Sequence, residues 1–167
     1  HPINPYGRTK LIAEQMLADY ATAYGIRYVA LRYFNACGAD LDGELGEAHD
    51  PETHLIPRAM LAAARFIDFL EVYGDDYDTP DGTCIRDYIH VIDLARAHVL
   101  AVDHLIRGGG NIAVNLGTGR GTSIKEILDA IGRLTGREVP VALRARRAGD
   151  PPILYADPAL AAETLGF

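Results

Sequence analysis

Alternation of helix-type and strand-type segments along the chain predicts a mixed α/β fold. Three observations carry that prediction. Apolar residues recur at helical spacing in some stretches, and short runs dense in β-branched, aromatic and aliphatic residues lie between them. Helix-start signals stand where the pattern changes, notably the Ser123/Glu126 capping box and Asp157-Pro158. Glycine and proline clusters separate the segments, and no repeat or low-complexity tract interrupts them.

From Tyr6 to Tyr24 the apolar residues Leu11, Ile12, Met16, Leu17 and Tyr20 follow a helical period. Lys10 and Glu14 are spaced to pair one turn apart, and Gly25 supplies a stop. The run from Arg27 to Phe34 reads as a strand. Residues 38–52 are rich in glycine and acids and read as a surface loop, followed by a helix from about Leu55 to Phe66. A strand is expected from Phe69 to Tyr73, then consecutive turns over residues 75–82, then an alternating strand from Ile85 to Val91. Asp93 is the expected N-cap of a helix from Leu94 to Ile106, which Gly108-Gly109-Gly110 ends. A strand at 111–116, a helix opened by the capping box and running to about Thr135, and a strand through Val139, Val141 and Leu143 complete the pattern. A terminal helix then starts behind an Asp157 N-cap.

Composition narrows the function. With 49% hydrophobic and 23% charged residues the chain is globular, and a single domain is the natural prior. A formal charge of −7 with scattered Lys and Arg argues against nucleic acid as a partner. No apolar run approaches the roughly 20 residues that span a bilayer, and no secretory signal opens the chain, so a soluble protein is expected. Cys37 and Cys84 are far apart with no CxxC pairing, which a reducing cytoplasm permits. His49 and His54 are five apart and off a common helical face, and no H-E-x-x-H or Cys/His ligand spacing occurs, so no metal is expected. Ser123, the only serine, belongs to a capping box, which argues against a Ser-His-Asp hydrolase. Gly117-Thr118-Gly119-Arg120-Gly121 has its third glycine one place early for a dinucleotide-binding turn and reads as a tight turn in a substrate-binding region.

The sharpest chemical signal is Tyr6-x-x-x-Lys10, which sets a phenol and an ammonium one turn apart on one helix face. Such a pair suits proton transfer. A free phenol ionises only near pH 10, so a base working near neutrality needs positive charge close by. Alone, the spacing arises by chance on many helices. Its neighbours add weight.

Asn4-Pro5-Tyr6-Gly7-Arg8-Thr9-Lys10, then Leu31-Arg32-Tyr33-Phe34-Asn35-Ala36-Cys37-Gly38-Ala39, then Asp81-Gly82-Thr83-Cys84-Ile85-Arg86-Asp87-Tyr88-Ile89-His90-Val91 resemble the UDP-hexose 4-epimerases, which are NAD-dependent extended short-chain dehydrogenases/reductases. Asn115 to Gly119 and Arg146 to Asp150 extend the likeness over almost the whole chain. The resemblance implies the C-terminal part of a Rossmann-like parallel sheet in residues 1–36. Residues 37–167 would be mainly a smaller mixed α/β substrate-binding region, with about 84–105 returning to the dinucleotide-binding part. It implies galactose metabolism, with NAD as cofactor, a UDP-sugar as substrate and a homodimer formed through the Tyr6 helix.

By that resemblance Tyr6 is the catalytic base and Lys10 tunes it and holds the nicotinamide ribose, with Tyr33 and Phe34 lining the nicotinamide. Asn35 bonds the UDP-sugar. Arg86 and Arg147 clamp the diphosphate, as forked guanidinium groups are suited to do. Asp150 is the ribose partner, and Glu71, Val72 and Tyr73 pack on the uracil. His54-Leu55 stands where the family often has Asn-Leu at the substrate, and Leu154 where some members have a tyrosine closing the sugar end of the pocket. These departures leave open an N-acetylated or pentose sugar. Other readings are a related dehydratase or reductase and a non-catalytic nucleotide-sugar binding module. The chain does not start with Met and ends on Leu165-Gly166-Phe167, so both ends read as cuts. The family's glycine-rich NAD turn is expected upstream, and the fragment alone is expected to be inactive.

Overall fold

A computed structural model describes residues 2–167. Helix α1 runs from Pro5 to Tyr24. The Asn4 side chain caps it by accepting the Gly7 N–H at 2.8 Å, and Pro5 occupies the first turn, where a missing N–H costs nothing. Gly25 closes it in the left-handed conformation, φ 68°. The expected Lys10–Glu14 pair does not form. Glu14 takes two bonds from the Arg32 guanidinium instead, Nε at 2.5 Å among them, because a forked cation matches a carboxylate better than a flexible ammonium does.

The strand expected from Arg27 to Phe34 is shorter and breaks at Phe34, giving β1 (Val29–Tyr33) and β2 (Asn35–Cys37). Residues 38–54 carry no helix or strand. Helix α2 (Leu55–Ala63) stops short of Phe66, because Arg65 turns left-handed at φ 65° and Phe66 donates its N–H back to the Leu61 carbonyl at 2.9 Å. Strand β3 (Leu70–Tyr73) follows. The alternating run after the turns is also two strands, β4 (Ile85–Arg86) and β5 (Tyr88–His90), divided at Asp87.

Helix α3 spans Val91–Ile106 and is capped by His90, whose imidazole accepts the Ile92 N–H at 3.2 Å. The expected cap, Asp93, lies in the first turn, where its charge faces the positive end of the helix dipole. Strand β6 (Ile112–Leu116) and β7 (Thr122–Ser123) lead to α4 (Ile124–Thr135), whose capping box is complete in both directions. Strand β8 (Val141–Arg144) begins later than expected, and β9 (Ile153–Leu154) was not foreseen. Helix α5 (Ala159–Leu165) starts behind Pro158 rather than Asp157 in the cap position, although the Asp157 carboxylate still accepts the Ala159 N–H at 3.0 Å.

Most pairing is parallel. β1 lies on β6, β2 on β5, β3 on β8 and β4 on β9, and only β4 with β7 is antiparallel. Two buried clusters hold the elements together. One packs Leu94, Ala97 and Ala101 of α3 and Ala161 and Leu165 of α5 on Val114 and Leu116 of β6 and Ile89 of β5. The other packs Ala59, Ala62 and Ala63 of α2 and Ile127 and Ile131 of α4 around Leu70 and Val72 of β3. Alanines on α2 and α3 let the helices approach closely, and branched or long residues supply the buried area. Helix α1 buries no residue, and Ile12, Met16, Tyr20 and Tyr24 stay exposed. Among the described residues no helix is long and apolar enough to cross a membrane.

Candidate active site

Tyr6 and Lys10 stand one turn apart at the start of α1, as their spacing requires. The Lys10 ammonium lies 5.1 Å from the centre of the Tyr6 ring, and the phenol is 72% exposed. Tyr33 is exposed at the carboxyl end of β1, opposite Leu116 at the end of β6. Phe34 is half-buried just beyond it and donates its N–H to the Leu116 carbonyl at 3.3 Å. Tyr33 and Phe34 thus stand at the carboxyl end of a parallel strand pair, the edge at which open α/β sheets generally bind ligands.

A second group assembles around Arg86. Its side chain is only 14% exposed, and one guanidinium nitrogen lies 3.8 Å from the Asp150 carboxylate. Arg86 pairs in register with Leu154, and the Asn35 N–H bonds the Asp87 carbonyl at 3.0 Å, so β2, β4 and β9 bring Asn35, Arg86 and Leu154 into one neighbourhood. The turn from Arg147 to Asp150 closes through the Asp150 N–H on the Arg147 carbonyl at 3.4 Å. Arg147 lays its guanidinium 3.7 Å from the centre of the Tyr73 ring, a stacked cation–π contact. Tyr73 in turn donates its hydroxyl to Glu71 at 2.8 Å. The Arg144 guanidinium, bonded to Glu71 at 2.9 Å, and then the Tyr73 hydroxyl hold the Glu71 carboxyl below the usual carboxylate range. Val72, between them, points the other way and is buried in the α2–α4 core.

No hydrogen bond or ion pair among the described residues links Tyr6 or Lys10 to the Arg86 group. His54 and Leu55 lie elsewhere again, at the start of α2, with His54 in the cap position and its ring toward Glu52. His49 and His54 nonetheless meet, with ring centres 4.6 Å apart, because residues 47–54 fold back as a loop and the helical spacing rule does not apply to them.

Asp87, which lies within the Asp81–Val91 motif but has none of the roles the resemblance implies, is a structural centre. It is fully buried, and its carboxylate accepts Thr118 N–H at 2.9 Å, Thr118 hydroxyl at 2.7 Å, Gly119 N–H at 3.1 Å and Ala156 N–H at 3.2 Å. The glycine turn after β6 is therefore filled by the chain itself. A Cβ on Gly117 would come within 2.5 Å of Asp87 and of Ala156, and one on Gly121 within 2.3 Å of Ile85. The close approach those glycines allow serves internal packing, as expected of a tight turn, although the turn follows a strand of the β1–β6 pair. The signal for Asp87 was present in the sequence, as a charged residue inside a strand-like run, where burial demands partners.

The fold and these side chains define a class: an α/β protein of mostly parallel strand pairs, with a tyrosine and a lysine one helical turn apart on its first helix and an arginine–aromatic cluster formed by β3, β4 and the turn between β8 and β9. The chain belongs to the NAD dependent epimerase/dehydratase family, whose pattern matches residues 1–117. It is 55% identical over 166 residues to the UDP-glucose 4-epimerase of Rhizobium meliloti (strain 1021), covering 99% of this chain and 51% of that protein. Its fold matches the crystal structure of UDP-glucose 4-epimerase from Brucella ovis in complex with NAD at a TM-score of 0.95 and 84% identity, over 100% of this chain and 51% of the other. The UDP-glucose 4-epimerase from Bifidobacterium longum, in complex with NAD+ and UDP, matches at a TM-score of 0.92 and 45% identity, over 99% of this chain and 50% of the other. The chain spans about half the length of the curated relatives it matches.

Proposed function

We propose that this chain supplies the proton-transferring and substrate-binding part of an NAD-dependent UDP-glucose 4-epimerase, which interconverts UDP-galactose and UDP-glucose through a 4-keto sugar. The observation that carries the reading is the linked group of Arg86 on β4, Asp150 and Arg147 in the turn between β8 and β9, and Tyr73 on β3. Two guanidinium groups, a carboxylate and an aromatic ring are the chemistry that a nucleoside diphosphate calls for: charge-assisted bonds for the phosphates, an acceptor for ribose hydroxyls and a flat surface for the base. The names of the relatives point the same way.

In this reading Arg86 and Arg147 grip the diphosphate, Asp150 holds the ribose, Asn35 bonds the sugar nucleotide, and Glu71, Val72 and Tyr73 form the uracil wall, where Val72 contributes through its backbone. His54 and Leu55 approach the substrate from the start of α2. The Tyr6 phenol takes and returns the proton of the sugar 4-hydroxyl, and Lys10 keeps positive charge beside it. NAD, when bound, supplies the hydride acceptor and donor. The exposed Tyr6–Lys10 pair and the strand end at Tyr33 and Phe34 suit its nicotinamide ribose and ring, whereas the Gly117–Gly121 turn is filled and does not suit its pyrophosphate. The β1–β6 core with α3 then belongs to the dinucleotide-binding part, and the β3–α2–α4 core to the substrate-binding part. The exposed apolar face of α1 suits a second copy of the full protein, and the two unpaired thiols of Cys37 and Cys84 suit the cytoplasm.

The test is conversion of UDP-galactose to UDP-glucose by the protein at the full length of its relatives, beside the same protein carrying Tyr6→Phe. Activity in the first and its near loss in the second, with UDP still bound, is the expected result. A folded, NAD-loaded protein that leaves UDP-galactose untouched overturns the assignment. One observation favours a broader sugar range: Leu154 is 46% exposed and carries no hydroxyl or ring to close the sugar end. Comparable turnover of UDP-N-acetylgalactosamine would support that reading, and none would restrict the site to hexoses without the acetamido group.

A further inference from the structure

The loop ahead of α2 gathers four metal-ligating side chains that the reading above leaves unused or uses otherwise. Glu47, His49, Glu52 and His54 each offer one ligand atom, and the four atoms all lie within 4.8 Å of one another. Both imidazoles present Nδ1 to the carboxylates: His54 Nδ1 is 3.0 Å from Glu47 and 2.8 Å from Glu52, and His49 Nδ1 is 3.3 Å from Glu47 and 3.6 Å from Glu52. The Glu52 carboxylate is fixed in place by the His54 backbone N–H at 2.7 Å. Neither carboxylate forms an ion pair with Lys or Arg among the described residues.

We propose that Glu47, His49, Glu52 and His54 form a binding site for a divalent transition-metal ion, with Zn2+ the best match. Bonds of about 2.0–2.1 Å to imidazole nitrogen and carboxylate oxygen, arranged tetrahedrally, put ligand atoms about 3.3 Å apart. The nitrogen–oxygen separations of 2.8–3.6 Å, taken to either oxygen of Glu52, bracket that value, and all the ligand atoms lie within 4.8 Å of one another, so side-chain rotation brings the four groups onto one ion. Two imidazoles select against Ca2+ and Mg2+, which prefer all-oxygen shells, and in favour of Zn2+ and its neighbours in the first transition row. Two carboxylates cancel the charge of the ion, and the ion removes the repulsion between two anionic groups that otherwise share one point. Four protein ligands within eight residues make a closed site, which ties the loop to the first turn of α2 through His54. Glu47, His49 and His54 are exposed, so the ion can reach them from solvent.

The measurement is calorimetric titration of ZnCl2 into the chelator-stripped protein at the full length of its relatives, together with the visible spectrum of the same protein loaded with Co2+. One Zn2+ per chain is expected, with the intense Co2+ bands of tetrahedral coordination that Zn2+ then displaces. His49→Ala and Glu47→Ala should each weaken binding by more than about tenfold, since loss even of a group supporting a ligand costs about that much. Both lie on an exposed loop, so far-UV circular dichroism should match the parent, and His104→Ala, on α3, should leave the affinity unchanged. Absence of saturable Zn2+ uptake overturns the proposal. So does uptake that His49→Ala and Glu47→Ala leave intact, or a weak octahedral Co2+ spectrum.

Discussion

Asp87 holds Thr118 by both of its donors, the backbone N–H at 2.9 Å and the hydroxyl at 2.7 Å, through a single carboxylate oxygen. Its other oxygen takes the N–H groups of Gly119 and Ala156. One buried side chain thus fastens the end of β6 and the segment between β9 and α5 to the break between β4 and β5. Asp87→Ala leaves three backbone N–H groups without partners; Thr118 and Gly119 are exposed and can turn to water, whereas the buried Ala156 N–H costs about 1–3 kcal/mol. We expect a loss of at least about 1 kcal/mol in urea denaturation. Asp87→Asn should also destabilise, because an amide NH2 then faces donors on one side.

Arg86 and Arg147 should differ in how they fail. Each charge-assisted bond to a phosphate is worth about 1.5–3 kcal/mol, or roughly 10-fold to 100-fold in affinity. Arg86→Leu and Arg147→Leu are each expected to weaken UDP binding by that factor in calorimetry. Arg147→Leu also ends the stacking on Tyr73, so its loss should be reproduced in part by Tyr73→Ala, whereas Arg86→Leu should be independent of Tyr73.

The Glu14–Arg32 pair ties α1 to β1 at the surface. The hydrogen bond from Arg32 holds the Glu14 carboxyl below its ordinary value of 4.5. The folded state therefore binds this proton less readily than the unfolded one, and the stabilisation is present above about pH 4.5 and fades as pH falls through the lower folded value. Arg32 is half exposed, so solvent screens the pair and its worth is under about 1 kcal/mol. Glu14→Gln should lower stability slightly at pH 7 and flatten the acid limb of the stability profile measured by denaturation.

At the alkaline end Tyr88 carries the reverse dependence. Burial pushes its phenol up to about 12 from an ordinary 10.0. Between those values the unfolded chain gives up the proton while the folded chain keeps it, so stability falls as pH rises through the interval, by up to about 2.7 kcal/mol. Tyr88→Phe should remove that part of the alkaline slope, as followed by denaturation at pH 9 to 12, and ultraviolet titration should show one fewer late-ionising tyrosine.

The sequence alone determined the elements whose signals are local. Gly25 fixes the end of α1 because caps act on backbone groups within one turn, and Ser123 with Glu126 fixes the start of α4 for the same reason. Tyr6 and Lys10 share a face because a helix places every fourth residue there. Tertiary structure decided the rest, since long-range pairing carries no local mark. It broke two apparently continuous strands at Phe34 and Asp87 so that their halves could join different partners, and gave Glu14 to Arg32 in place of Lys10. It moved the cap of α3 from Asp93 to His90, stacked Arg147 on Tyr73 and closed the loop at 47–54 so that two histidines at a non-helical spacing converge with two glutamates. Side chains distant along the chain become neighbours only once the sheets register and the two cores close, and burial then forces each polar group in them to find a partner.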